Sequence, residues 1–126
     1  MNKSEIIEYL KTFPYDKHDY WVITGSAMVL YGIKEQTSDI DMGCTSEMAD
    51  QLEQAGYAYK ITESGNRHFQ YDECTEIFEN WLKDTVTEVE GIPVITLQGL
   101  LEMKQELGRE KDRKDIQLIK DVMGER

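Results

Sequence analysis

The chain has 126 residues, and its 14 Lys+Arg stand against 25 Asp+Glu for a formal net charge of −11. That length suits one domain spanning residues 1–126, which buries on the order of two thirds of its unfolded surface and needs no disulfide or metal staple. The negative charge repels nucleic-acid backbones and anionic membranes at long range, no apolar run approaches the ~20 residues of a membrane span, and MNKSEIIEYLKTF lacks the apolar core of a signal peptide. A nucleic-acid acceptor is therefore disfavoured, and a soluble, cytoplasmic protein is expected.

In chain order, Ile6, Ile7, Leu10 and Phe13 recur at helical spacing and predict an amphipathic first helix closed by Pro14. Tyr20 to Thr24 (YWVIT) is a β-branched and aromatic run that reads as a buried strand, with Gly25 at its end and a short helix beyond. The next apolar segment carries Asp39-Ile40-Asp41. SEMADQLEQA then predicts a helix with Ser46 as N-cap and Gly56 at its end. YAYKI, RHFQYD and CTEIFEN read as three strands, separated by ESGN and a tight turn. From Thr96 two helices follow, one through Leu107 and one from about Lys111 to Met123, with Gly108 at the break. The expected fold class is α/β (α+β), a mixed sheet of about five strands flanked by helices, two of them at the C-terminal end.

The stretch TGSAMVLYGIKEQTSDIDMG carries the chemistry. Gly25 and Ser26 stand where a helix begins, and free backbone N–H groups there favour phosphate. A side-chain period of two puts Asp39 and Asp41 on one face, ~6.6 Å apart along the strand, with Ile40 and Met42 on the other. Carboxylates that close repel each other unless a cation lies between them, so both are candidate metal ligands. Taken singly, Gly-Ser is an ordinary turn and Asp-x-Asp a solvated strand end. Together, about 14 residues apart, they fit a strand-helix-strand hairpin that holds a nucleoside triphosphate and its metal.

Leu97, Leu100, Leu101 and Leu107 form an apolar stripe on the first C-terminal helix, and Lys104 lies on it. Its ammonium either snorkels to water or meets a partner, which is Asp115 of the next helix or a nucleotide phosphate. On that next helix Ile116, Ile119 and Met123 make the apolar face with Asp112 and Asp115 at its margin, and Asp112 is placed to cap it. The basic run from Lys111 to Lys114 reads as a solvated helix face. Arg67 is a phosphate candidate and His68 reads as structural, since they begin one strand and face opposite sides. Cys44 and Cys74 lack zinc or disulfide spacing and read as small core residues. Tyr57, Tyr59, Phe69, Tyr71 and Trp81 read as core or cross-strand pairs, with an acceptor-pocket lining as the alternative.

Gly-Ser, a short helix and Asp-x-Asp together resemble the signature of the nucleotidyltransferase superfamily, the fold shared by antibiotic nucleotidyltransferases and many small toxin-system proteins. The C-terminal run GIPVITLQGLLEMKQELGREKDRKDIQLIKDV also looks like the tail of its compact single-domain members. The resemblance spans roughly residues 20 to 122 and matches the middle of the chain only loosely. It implies a magnesium-dependent transfer of a nucleoside monophosphate from a triphosphate to a hydroxyl of a small molecule or protein. Asp39 and Asp41 would hold one or two Mg²⁺ ions. Gly25, Ser26 and Lys104 would contact the phosphates, Ser26 through its hydroxyl. A third acid, Glu76 or Glu79, would orient or deprotonate the acceptor; Glu76 is preferred because it precedes an Ile-Phe pair, as family third acids commonly do. Members often carry an arginine before Thr-x-Asp-x-Asp, whereas this chain reads Lys34-Glu35-Gln36-Thr37, with Glu35 where the base is expected and Lys34 as its substitute. That departure leaves open a second reading, a catalytically inert nucleotide-binding or interaction module, such as one half of a toxin–antitoxin or regulatory pair. A homodimer or partner protein would complete the acceptor site in a chain this short.

Overall fold

Local sequence signals start and stop most of the elements in the computed structural model, which describes residues 1–81 and 85–124. Helix α1 (Lys3–Lys11) opens on a capping box, in which the Asn2 side chain accepts from the Glu5 backbone and the Glu5 side chain accepts from Asn2. It buries Ile6 and Leu10. Strand β1 (Tyr20–Ile23) turns at Thr24 directly into α2 (Thr24–Leu30), and β2 (Ile40–Cys44) returns beside β1 in antiparallel register. Helix α3 (Ser46–Gln54) is capped by Thr45, whose hydroxyl accepts from the Met48 backbone, so the cap lies one residue before the expected Ser46.

Strands β3 (Tyr59–Ile61), β4 (Arg67–Gln70) and β5 (Thr75–Glu79) form an antiparallel meander, and β5 pairs in parallel with β2. A hairpin of β6 (Val86–Val89) and β7 (Ile92–Ile95) then joins the other edge, with β7 parallel to β1. Among the described residues the sheet is mixed, as expected, but has seven strands in the order β3-β4-β5-β2-β1-β7-β6, against the expected five or so. Two features concealed the extra hairpin. Pro93 sits inside β7, and a proline argues against a paired strand because it has no N–H to donate. The turn is Glu90-Gly91, both at positive φ (49° and 82°), a tight hairpin turn that Asn-Gly or Asp-Gly signals far better than Glu-Gly.

Helix α4 (Leu97–Leu107) is capped by Thr96 and ends at Gly108 in the left-handed conformation, and α5 (Asp112–Met123) packs against it. Leu100 and Leu101 are buried as the stripe predicts, but Leu107 is 40% exposed and Met103 takes the inward place. Cys44 is buried in the core, whereas Cys74, just before β5, is only half-buried. Among the described residues no helix is long and apolar enough to cross a membrane.

The alternation along the central strands separates two faces. Val22, Met42, Ile77 and Phe69 stand at successive paired positions across β1, β2, β5 and β4, and all are fully buried. Asp41, Gly43, Glu76, Phe78 and His68 therefore share the opposite face. Gly43 is required there. A Cβ on it would stand 2.1 Å from Trp21 Nε1 and 2.7 Å from the Trp81 carbonyl oxygen, in the space where the Trp21 indole N–H donates to that carbonyl at 2.8 Å.

Gly43→Ala is accordingly expected to displace the Trp21 indole and break its bond to Trp81. Overpacking and the lost buried hydrogen bond together should destabilise the protein by about 2–4 kcal/mol. Urea unfolding followed by tryptophan fluorescence measures this, and a loss below ~0.5 kcal/mol would show that the two indoles can part freely.

Candidate active site

Asp41 is placed by backbone geometry before its own chemistry enters. It pairs with Ile23 on β1 and with Glu76 on β5, so the parallel register brings the Asp41 and Glu76 side chains up side by side on one face. Ser26 locks this arrangement from behind. Its hydroxyl donates to the Ile23 carbonyl at 2.8 Å and accepts from the Asp41 backbone N–H at 3.2 Å. Ser26 is fully buried, and in this structure its hydroxyl, expected to face a phosphate, ties the α2 start to β2.

Thr24 takes a direct part that the sequence did not reveal. At φ 55° it occupies the left-handed region, unusual for a β-branched residue, and its hydroxyl donates to Asp41 Oδ2 at 2.6 Å. Read as the end of a strand, Thr24 gives no sign of this turn. The other carboxylate oxygen, Asp41 Oδ1, is buried and has no hydrogen-bond partner. Burial pushes the Asp41 carboxyl above its ordinary value, the Thr24 hydroxyl opposes this, and the charges of Glu76 and Asp39 push it further up.

Asp39 lies one residue before β2 instead of on it, and is exposed. Asp39, Asp41, Thr24 and Gly25 nevertheless line one cavity of about 980 Å³, while Ile40 between the aspartates is fully buried on the core side. A Cβ on Gly25 would come within 3.3 Å of the Thr37 hydroxyl, so the bare backbone keeps this wall open. The cations of the cavity come from other segments. Lys34, Lys104, Arg109, Lys111 and Lys114 all line it, together with Asp112, Asp115 and Glu35. The run from Lys111 to Lys114, read as a solvated face, thus presents three of its four residues, Lys111, Asp112 and Lys114, to the cavity.

Lys104 has its ammonium 3.1 Å from Asp115, the partner that its position on the stripe predicts, and 3.4 Å from Asp112. Snorkelling is excluded, since the side chain is 7% exposed. Asp115 also holds Lys34 at 3.1 Å, joining the loop before β2 to the C-terminal helices. Asp112 does not cap α5. Its carboxylate is clamped by Arg109 at 2.7 Å and 3.0 Å, and that guanidinium, with Lys104 adding, holds the Asp112 carboxyl down at about 2.

The two candidate third acids separate cleanly. Glu79 is on the core face with both oxygens held by Arg67, at 3.0 Å and 2.7 Å, which draws its carboxyl down to about 2. Arg67 also binds Asp50 and Glu53, so it is committed to structure and is no phosphate ligand. Glu76 is half-buried beside Asp41, and His68 Nε2 lies 2.9 Å from its Oε1. The His68 ring stacks on Phe78, centroids 4.1 Å apart. His68 was read as structural, and only its cross-strand register with β5, invisible in the sequence, brings it to Glu76. Tyr57, Tyr71 and the Tyr59–Phe69 pair meet in ring contacts away from the cavity, whereas Trp81 lines it.

Among the described residues no three His, Cys, Asp or Glu converge closely enough to form a metal site by themselves. Two carboxylates with one unpartnered buried oxygen do suit Mg²⁺, which is held through one or two carboxylates and completes its shell with water and substrate phosphates.

No family model matches the chain, and no curated protein matches it. Solved structures do. A nucleotidyltransferase candidate from Thermotoga maritima superimposes with a TM-score of 0.66 at 17% identity, covering 93% of both chains. The lincosamide antibiotic adenylyltransferase LnuA, solved with lincomycin bound, superimposes with a TM-score of 0.63 at 18% identity, covering 97% of this chain and 98% of that one. The fold is therefore the nucleotidyltransferase fold.

The perturbed carboxylates predict opposite responses to pH. Because Asp41 is raised above its ordinary 3.8, its protonated form stabilises the metal-free fold below that value, and the contribution is lost as pH rises through the folded value. Asp41→Asn should therefore melt above the parent at pH 7, with the gap closing as pH falls toward 4. Glu79 is lowered, so its contribution is complete above its ordinary 4.5 and lost as pH falls toward about 2. Glu79→Gln should cost roughly 2–3 kcal/mol at pH 7, less than a fully buried pair because Asp50 and Glu53 still hold Arg67. Melting curves from pH 3 to 8 check both signs.

Proposed function

We propose that this protein is a nucleotidyltransferase that moves a nucleoside monophosphate from a triphosphate to a hydroxyl on a small molecule. The observation that carries this reading is the lining of a single cavity, to which Asp39 and Asp41 contribute carboxylates and Lys34, Lys104 and Arg109 contribute cations. A triphosphate with its metal calls for both. Its volume of about 980 Å³ is ample for one nucleotide.

Asp39 and Asp41 would hold Mg²⁺, which when bound supplies charge neutralisation for the phosphates. Thr24 fixes Asp41 Oδ2 and leaves Oδ1 as the ligating atom. Lys34 and Lys104 are drawn together by Asp115, so two cations lie close to each other at the cavity, where departing phosphates would compete with the aspartates for them. Lys34 is the more open of the two, 35% exposed against 7%, and would stand in for the arginine that members of the nucleotidyltransferase superfamily often carry before Thr-x-Asp-x-Asp. Glu76, free of any arginine, orients and deprotonates the acceptor. The acceptor oxygen attacks the α-phosphorus, its proton passes to the Glu76 carboxylate, and the bond from that phosphorus to the bridging oxygen breaks to release pyrophosphate.

Glu35 supports a second reading, an inert nucleotide-binding module, because its carboxylate lines the same cavity and opposes phosphate. Turnover separates the two.

Calorimetry with Mg-ATP and Mg-GTP should show metal-dependent binding that Asp39→Asn/Asp41→Asn abolishes. Lys104→Met should weaken it at least about tenfold, ~1.4 kcal/mol, while Lys34 and Arg109 still partner the two aspartates and preserve the fold. Pyrophosphate release on addition of hydroxyl acceptors supports the transferase, and binding without release supports the inert module. Unchanged affinity in the double aspartate variant would sink both.

A further inference from the structure

A second recess opens beside the phosphate cavity, and its chemistry is different. It encloses about 680 Å³ between the β3–β4 turn, the end of β5 and the last residue of α4. Phe78, Trp81 and Leu107 line both spaces, so the two adjoin across these side chains. Phe78 follows Glu76 by two residues on the same face of β5, so the proposed base, which itself lines neither space, stands one strand repeat from the wall that they share.

The walls are apolar and aromatic. Phe78 packs edge-on to Trp81 with centroids 5.0 Å apart, and Leu107 is left 40% exposed at the junction. Thr62, Asn66 and Asn80 supply neutral hydrogen-bonding groups. The charged lining residues do not select an ion. Arg67 and Glu79 neutralise each other, and Glu63 is exposed on the turn, where water and salt screen it. A polycation would meet only a buried carboxylate already held by Arg67, and a phosphate-bearing acceptor only a guanidinium already held by Glu79, Asp50 and Glu53.

Resting on the nucleotidyltransferase reading, we infer that this recess holds the acceptor and that the acceptor is an uncharged small molecule, with a flat or alicyclic apolar body and a hydroxyl turned toward Glu76. Stacking on Phe78 and Trp81 binds the body, the neutral turn residues read its polar substituents, and the nucleotide keeps the larger cavity to itself. The hydroxyl loses its proton to Glu76 and gains the nucleoside monophosphate, with pyrophosphate as the leaving group.

Three probes of one shape test the charge preference. They are 2-naphthylethanol, the cation 2-naphthylethylammonium and the anion 2-naphthylacetate, each titrated into ¹⁵N-labelled protein with and without saturating Mg²⁺ and α,β-methylene-ATP. The alcohol should shift the amides of Asn66, Asn80 and Leu107 and the Trp81 indole, and should bind at least about tenfold tighter than either ion. It should bind equally with nucleotide present, and Leu107→Glu, at an exposed position, should reverse the preference in favour of the cation. Shifts elsewhere, or tighter binding of a charged probe, overturn the inference. So does exclusion of the alcohol by nucleotide, which would assign the recess to the base. If the alcohol binds as expected but no nucleotide binds in the presence of Mg²⁺, the nucleotidyltransferase reading fails and takes the acceptor role with it.

Discussion

The buried, unpartnered oxygen of Asp41 is the constraint around which the rest of the site is arranged. A carboxylate taken out of water and set beside Asp39 and Glu76 is unfavourable in the metal-free fold, and its raised pKa expresses that penalty. The fold tolerates it because the backbone holds the residue in place independently of its charge. Asp41 is fixed by pairing on both sides, to β1 and β5, and by the Ser26 hydroxyl behind its N–H. Stability is thus surrendered locally and recovered in the fully buried face of the same strands, where Met42 and Ile77 meet.

The cations of the cavity follow the inverse logic. An ammonium as buried as that of Lys104 requires compensation, and Asp112 and Asp115 supply it, each backed by a further cation, Arg109 or Lys34. The network leaves a row of basic groups along the cavity in spite of a chain charge of −11. Net charge therefore describes the long-range field of this protein and not its local chemistry, since within a few ångströms the arrangement of a handful of side chains dominates.

Much of this was legible in the sequence wherever a short-range rule governed. The strand that carries Asp41, the helix that begins at the Gly-Ser turn, the helix ended by Gly108 and the inward Lys104 with its Asp115 partner all follow from periodicity and capping. What escaped depends on register between distant segments. The contact of His68 with Glu76 and the capture of Arg67 by Glu79 arise from pairing β4 with β5, which no local pattern encodes. Ser26 shows a different limit. Its position was read correctly, but whether a hydroxyl faces a cavity or the strand behind it depends on the turn at Thr24, and a positive φ on a β-branched residue has no sequence signature. The β6–β7 hairpin was lost because Pro93 and Glu90-Gly91 break the composition rules for strands and tight turns.

Strand β5 joins the two kinds of constraint. Its odd positions, Thr75, Ile77 and Glu79, belong to the core face, and its even positions, Glu76 and Phe78, to the cavity face. A slip of one residue against β2 would expose Ile77 to the cavity and drive Glu76 into the apolar core without a partner, an error costly on both faces at once. The Arg67–Glu79 pair resists such a slip, because Arg67 reaches Glu79 only in the observed register of β4 with β5 while it also grips Asp50 and Glu53 on α3. A salt bridge outside the phosphate cavity therefore keeps Glu76 beside Asp41, and the placement of these two carboxylates depends on a pair that lines only the neighbouring recess.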